Sequence, residues 1–420
     1  MGRSNIVVAL DVGTSKVRTI IAAKPAVNET KPQIIGVGEA NTAGMRKGLV
    51  IDIEEVVSSI NESVEQAERM AGIPVEGAYI SVGGGDVISQ TSKGAIAVGR
   101  ADGEVTRDDI TRAINAAQAI SIPNNREVFH VIPRKFSLDN QSDIKDPMGM
   151  TGVRLEADCL IIQGSSPHLK NISKCVYQAG INIEELVLSP LAAQMATLTK
   201  RQKELGVVLV NIGGGTTSVA VYEEGELLHI AIIPIGGNNI TNDIAIGLRT
   251  SVEVAEEVKI KYGSCQPQEI SKKDEVDLSK FDKNEENVVA RLHVAEIIEA
   301  RMEEIFKLVN KELKAVDRDG MLPAGAVIVG GSSKIMGCID LAKSVLKLPT
   351  QHGFPKEMTG IVDKVDEPGF ITALGLIYWG LDVKSDSDFP SLSFSSVGAV
   401  GAQVGQSVGK IKNWLKGFLP

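Results

Sequence analysis

Two ten-residue segments of this chain carry groups suited to binding a polyphosphate. One is Val7-Val8-Ala9-Leu10-Asp11-Val12-Gly13-Thr14-Ser15-Lys16, the other Val208-Leu209-Val210-Asn211-Ile212-Gly213-Gly214-Gly215-Thr216-Thr217. Each is an apolar run, one carboxylate or carboxamide, and a glycine turn with hydroxyls. Glycine lets backbone N–H groups approach a phosphate closely, and Ser and Thr add donors. Two such turns can grip one polyphosphate from both sides. A third segment, Ala326-Val327-Ile328-Val329-Gly330-Gly331-Ser332-Ser333, reads as strand, glycine turn and helix start.

The elements that must position these groups follow from periodicity. Second strands at 17–21 and 218–222 complete two hairpins, and their repetition along the chain predicts two related half-domains. The first half reads as strands near 6–11, 17–23 and 33–40, then a helix over 53–71. Val56, Val57, Ile60, Val64, Ala67 and Met70 fall on one face of that helix. A strand at 77–82 ends in Gly83-Gly84-Gly85. Residues 86–165 read as an inserted small α+β domain, with strands 95–98, 127–136 and 155–162 and a helix 107–120 begun by an N-cap at Thr106. A helix near 168–179 and a strand near 185–188 return to the first domain, 1–85 continued at 166–200. The second domain spans 201–384. It holds a helical stretch near 239–262, a polar segment 266–287 read as a surface hairpin or loop, and a long helix over 288–315. Ser, Gly, Val and Ala dominate 385–409, the composition of a flexible linker of r.m.s. span roughly 25–30 Å.

Bulk properties narrow the class. The chain has 420 residues, 43% hydrophobic and 23% charged, as in soluble globular proteins. A formal net charge of −9 argues against general nucleic-acid binding. Cys159, Cys175, Cys265 and Cys338 stand far apart and form no metal or redox motif, so they read as reduced thiols of a cytoplasmic protein. No apolar run of about 18 residues is present to span a membrane.

The two turns followed by Val-Ile-Val-Gly-Gly-Ser-Ser resemble the actin / Hsp70 / sugar-kinase superfamily. Gly236-Gly237-Asn238-Asn239-Ile240-Thr241-Asn242-Asp243, Ala255-Glu256-Glu257-Val258-Lys259, His130-Val131-Ile132-Pro133 and Pro147-Met148-Gly149-Met150-Thr151-Gly152 resemble the FtsA family of bacterial division proteins. The resemblance implies an α/β, actin-like (ribonuclease H-like) two-domain nucleotide-binding fold, with subdomain 2B at about 240–315. It implies ATP and Mg²⁺ as ligands. Gly13, Thr14, Ser15, Lys16 and Gly213, Gly214, Gly215, Thr216 would then meet phosphate, and Gly236 and Gly237 would also bind the nucleotide. Asp11 would hold hydrated Mg²⁺, whose hardness favours oxygen ligands. Glu256 and Lys259 would meet ribose and base, and Gly330, Gly331 and Ser332 the adenosine.

Two positions depart from the superfamily pattern. Asn211 stands where the second turn usually has Asp. Ser189-Pro190-Leu191-Ala192-Ala193 has Ser189 where relatives carry a Glu that orients the attacking water. Asn is no base and brings no charge to Mg²⁺, and Ser is a poor base near pH 7. The expectation is ATP binding with slow or negligible turnover and no firm catalytic residue.

The last residues form an independent amphipathic signal over 410–420. Ile411, Trp414, Leu415, Phe418 and Leu419 share one helical face, with Lys416 opposite and Lys412 at the border. Aromatic residues with nearby Lys suit an anionic lipid interface. The family resemblance adds partners: Arg291 and Arg301 for the acidic C-terminal peptide of the tubulin-like protein FtsZ, self-association into filaments through the inserted domain, and later division proteins. The expected location is the inner face of the plasma membrane at the division site. The alternatives are a PilM-like assembly ATPase, which lacks this tail, and a small-molecule kinase on the same nucleotide fold.

Overall fold

The computed structural model describes residues 5–25, 31–283, 285 and 287–385. The expected linker beyond Ser385 and the amphipathic segment with Ile411, Lys412, Trp414, Leu415, Lys416, Phe418 and Leu419 lie outside the described residues.

Two sheets of the same plan dominate. In the first, the hairpin Ile6–Val12/Lys16–Ala23 pairs Val12 with Val17; in the second, the hairpin Val207–Ile212/Thr217–Glu223 pairs Ile212 with Thr217. The turns close with the same bond, Gly13 N–H to Lys16 O (3.0 Å) and Gly213 N–H to Thr216 O (2.9 Å). An antiparallel third strand follows each hairpin, Gln33–Asn41 and Glu226–Ile233. On the other side lie parallel strands, Gly77–Val82 then Asn182–Leu188 in the first sheet, and Ala326–Val329 then Thr350–His352 in the second. Thr359–Gly360 adds to the outer edge of the first sheet, and the helix Ile371–Ser385 packs on its first strand, so this helix belongs to the first lobe.

The helix Ile53–Ala71 is capped by Asp52, which accepts from Glu55 N–H, and is stopped by Gly72 in the left-handed region. Its buried face is Val56, Ser59, Ile60, Ser63, Val64 and Ala67; Met70, expected on it, is 36% exposed. The reason is close approach to the third strand. A Cβ at Gly38 would lie 1.8 Å from Ser63 O, and one at Gly36 2.5 Å from Ala67 O. Only small side chains fit there, and Ser63 Oγ donates to Gly38 O (3.2 Å).

The inserted block is a four-stranded antiparallel sheet covered by the helix Arg107–Gln118. Thr106 and Asp109 form a reciprocal capping box at its start. The strand expected at 95–98 spans Ile88–Ala97, and Gln141–Ile144 adds a strand that periodicity did not predict. The block has its own apolar core, including Ile110, Ile114, Phe136, Leu155 and Ile161. It also touches the far lobe. Ser89 Oγ donates to Ile230 O (3.0 Å), and Lys135 Nζ donates to Glu224 (3.0 Å).

In the second lobe the stretch 239–262 is two helices, Gly237–Leu248 and Val252–Tyr262. Arg249 turns left-handed (φ 57°) between them, and Ser251 caps the second by accepting from Val254 N–H. The polar segment contains a short hairpin, Glu275–Asp277 with Val288–Ala290, so the long helix starts at Arg291 and runs to Lys314. Val294, Ile298, Met302, Ile305, Val309 and Leu313 pack it into the second core.

Candidate functional site

A cleft of about 590 Å³ lies between the lobes, with both glycine turns on its walls. Asp11, Gly13, Thr14, Ser15, Lys16, Ser189, Asn211, Gly213, Gly214, Gly215, Thr216, Gly237, Glu256, Lys259, Gly330, Gly331 and Ser332 all line it. Gly236 does not. It sits behind the second turn, where a Cβ would lie 2.6 Å from Gly213 O, and its N–H is held by Asn239 Oδ1 (3.0 Å).

The turns interlock across the cleft. A Cβ at Gly214 would fall 1.9 Å from Ser15 Oγ, and one at Gly215 would fall 2.6 Å from Thr14 Oγ1. Ser15 Oγ donates to Asn238 Oδ1 (2.9 Å), and Thr14 Oγ1 accepts from Gly48 N–H (2.9 Å). The helix Gly237–Leu248 begins at the second turn; Gly237 and Asn238 donate to Gly213 O and Gly214 O (2.9 and 2.7 Å). Its positive dipole end therefore faces the region between the turns. Gly330 has φ 92°, and a Cβ there would strike Ile212 O at 2.4 Å. Gly331 faces open space with no atom within 4 Å of such a Cβ.

Charge is distributed unevenly. Asp11 is partly exposed to the cleft; burial pushes its carboxyl up from the ordinary range, against the Ser81 hydroxyl, which donates to it (2.5 Å), and the charge of Arg18. Lys16 is paired with Glu39 (3.0 Å), and Arg18 holds the same carboxylate (2.8 Å). Burial acts to raise Glu39, but Arg18 and Lys16 prevail and hold it below its usual value. Arg18 and Glu39 were not singled out from sequence. The signal was there: Lys16 and Arg18 share one face of a strand, and Glu39 is the cross-strand partner of Arg18.

Glu256 and Lys259 are not an exposed helix pair. The Lys259 side chain is 8% exposed, and its amine donates to Glu256 (2.5 Å), Thr241 Oγ1 (2.7 Å) and Gly237 O (3.2 Å). Burial pushes this amine down, with Glu256 opposing. Thr241 also donates to Glu256. Glu256 is thus a fixed acceptor at the wall of a cleft that the apolar Ile260, Ile335 and Met336 also line.

Neither departure from the superfamily pattern leaves a free base. Ser189 Oγ donates to Val82 O (2.8 Å), and Asn211 Nδ2 donates to Thr372 Oγ1 (3.1 Å). The two arginines expected to meet a partner peptide are separated by about 15 Å of helix. Arg291 lines the cleft and donates to Tyr262 O (3.1 Å). Arg301 forks onto Asp243 of the neighbouring helix (2.6 and 3.0 Å) and reaches Glu304.

Comparison with known proteins places this architecture. The family model "Cell division protein FtsA" matches residues 208–375, and that of the SHS2 domain inserted in FtsA matches 84–163. A Cell division protein FtsA from Pseudomonas aeruginosa is 35% identical over 412 residues, 98% of each chain. The chain belongs to the FtsA family. The Bacillus subtilis FtsA is 38% identical over 377 residues, 90% of this chain and 84% of its own, and the Escherichia coli FtsA is 32% identical over 418 residues. This member is a cell-division protein with the actin-like fold expected from its motifs. Solved structures agree on the fold alone. A chain of the PilM–PilN type IV pilus biogenesis complex superposes with a TM-score of 0.65 at 16% identity, covering 89% of this chain and 98% of its own. MreB5 of Spiroplasma citri bound to ADP gives 0.53 at 12% identity, covering 92% and 99%. Among the described residues no helix is long and apolar enough to cross a membrane.

Proposed function

We infer that this FtsA-family member binds ATP in the interlobe cleft and serves as a self-assembling adaptor that tethers FtsZ polymers to the inner face of the plasma membrane. The observation that carries the nucleotide reading is the pair of matched turns on opposite walls of one cleft. Their carbonyls are consumed by structure, and Thr14, Ser15, Thr216 and the helix start Gly237 line the cleft. The nucleotide-bound MreB5, which shares the fold, supports the same reading.

Asp11 suits a divalent cation. It is a hard oxygen donor whose charge is penalised by burial, and a nearby cation relieves that penalty. Mg²⁺ supplies charge neutralisation between phosphates when bound. The backbone N–H groups and hydroxyls of the first turn orient the phosphates, Glu256 accepts from the ribose side, and the open surface at Gly331 receives the adenosine. With Ser189 and Asn211 committed to structural hydrogen bonds, neither serves as the base at the phosphate end, and turnover is expected below ~1 per second, under the usual enzyme range.

The FtsZ peptide fits the exposed face of the helices Gly237–Leu248 and Arg291–Lys314. Ile246 there is 76% exposed, and Gly247 allows close packing against Ile297. Arg301 presents its charge beside Asp243 on this face, while Arg291 stands at the cleft end of the same helix. The inserted block offers its edge strand Gln141–Ile144 and Val153, 74% exposed, for contact between subunits or with later division proteins. The tail segment 410–420 supplies the lipid anchor. Co-sedimentation with anionic liposomes tests the whole reading, using the intact chain and one ending at Ser385, with ATP and FtsZ. The intact chain should pellet and carry FtsZ with it, and the shortened chain should do neither. Equal behaviour of the two chains contradicts the adaptor role.

A further inference from the structure

The chain leaves the described fold at Ser385, the end of the helix Ile371–Ser385. Several segments converge beside that helix. The loop at Phe354 is fastened to the end of the helix Ser189–Thr197, by Lys356 N–H to Ala196 O (2.7 Å) and Thr197 Oγ1 to Phe354 O (3.0 Å). Tyr378 Oη of the C-terminal helix donates to Glu357 O (3.1 Å). The short helix Lys200–Leu205 comes next in the chain.

This junction is cationic on an otherwise acidic chain. Lys200 and Arg201 are exposed and have no ion pair among the described residues. The amine of Lys356 lies 5.8 Å from the Tyr378 ring centroid, and that of Lys203 lies 5.5 Å from the Tyr222 centroid. Burial, then Lys356 and Lys200, push the Lys203 amine down to about 8, with Asp382 opposing. Burial also lowers Lys356, again against Asp382. Asp382 is the carboxylate that acts on Lys203 and Lys356, while Glu357 is paired with Lys31 and Glu204 with Lys145, so Lys200 and Arg201 stay uncompensated by an ion pair among the described residues. Phe354, two residues before Lys356 and tied through its carbonyl to Thr197, is 65% exposed. Like charges held together repel, and an opposing anionic surface relieves that repulsion.

We propose that this junction is a second membrane contact, in which Phe354 enters the headgroup layer while Lys200, Arg201 and Lys356 meet anionic lipid, so that the folded body is oriented on the bilayer. The inference rests on the tail reading above. Lipid is the occupant because of where the remaining chain leads. Residues 386–409 separate Ser385 from the amphipathic segment, an r.m.s. span of roughly 25–30 Å if flexible. An inserted tail thus holds this surface near the bilayer at ~mM effective concentration, where a weak contact becomes populated. An exposed aromatic side chain in a surface region that also carries Lys and Arg is the composition of an anionic interface.

The test uses the full-length chain with a polarity-sensitive thiol probe at Phe354→Cys; all four native cysteines are buried, which directs the label. Vesicles are phosphatidylcholine alone or mixed with phosphatidylglycerol, and sedimentation is read beside fluorescence. The expected result is a blue shift on anionic vesicles, abolished by Lys200→Gln/Arg201→Gln/Lys356→Gln, which should also weaken binding roughly 100-fold, about fivefold for each basic residue lost. If the chain sediments but the probe stays aqueous, the second contact is wrong and the tail reading stands; an acidic protein partner would leave that result. If the charge-neutralised chain keeps the blue shift and full affinity, the contact is equally overturned. If the intact chain fails to sediment on either vesicle, both readings fall.

Discussion

The two glycine turns share a backbone and divide the side-chain work. The first carries Thr14, Ser15 and Lys16, which project from its turn; the second is reduced to Gly213, Gly214 and Gly215. The reduction is steric, because Ser15 and Thr14 occupy the places where Cβ atoms of Gly214 and Gly215 would sit. The carboxylate shows the same division: Asp11 faces the cleft under a burial penalty, while Asn211 is neutral and tied to Thr372. A duplicated unit has become two complementary jaws, one bearing groups and one making room for them.

That contrast can be broken most severely at Gly214. Gly214→Val should lower ATP affinity at least ~100-fold in equilibrium titration, because the side chain collides with Ser15 and overpacking shifts the turns. Gly214→Ala combined with Ser15→Gly should recover much of the loss seen in Gly214→Ala alone, a non-additivity that reports direct contact.

Next comes the charged half. Asp11→Asn should cost ~10–100-fold in Mg²⁺-dependent ATP affinity, the scale of a disturbed metal site. It should also raise the melting temperature of the nucleotide-free protein at pH 7. Burial raises the folded-state pKa of Asp11 above 3.8, so the stabilisation it lends is complete below its unfolded pKa and is lost as pH rises through the folded value. Urea midpoints across that window should fall less steeply in the variant than in the parent.

A smaller effect belongs to the neutral half. Asn211→Asp should steepen Mg²⁺ dependence and raise phosphate release severalfold, with the Thr372 hydroxyl now donating to the new carboxylate. Unchanged release would mean that the carboxamide is not what weakens this half. The least effect is expected from Ser189→Ala, which removes the bond to Val82 O, should cost about 1 kcal/mol of stability, and should leave ATP affinity alone.

Both hairpins, the N-cap at Thr106 and the glycines of the three turns were legible because each depends on local residue types. Places where tertiary geometry decided were less so. Ser59 and Ser63 displace Met70 from the buried helix face because Gly36 and Gly38, distant in sequence, draw the helix in. The helix break falls on Arg249 itself, a left-handed residue that is not a glycine. Ser89-Gln90-Thr91-Ser92-Lys93 lacks apolar alternation, so the front of its strand was unreadable. At the site, the depth of Lys259 and the cleft position of Arg291 follow from how helices pack, which spacing alone does not encode.

The inserted block is rooted in the first lobe by its flanking strands, yet it also grips the second through Ser89–Ile230 and Lys135–Glu224. Mechanically that makes a triangulated frame rather than a jaw with an ornament. Rocking one lobe against the other must either snap those struts or swing the block with it. Its outer edge becomes the tip of a lever whose fulcrum lies beside the cleft.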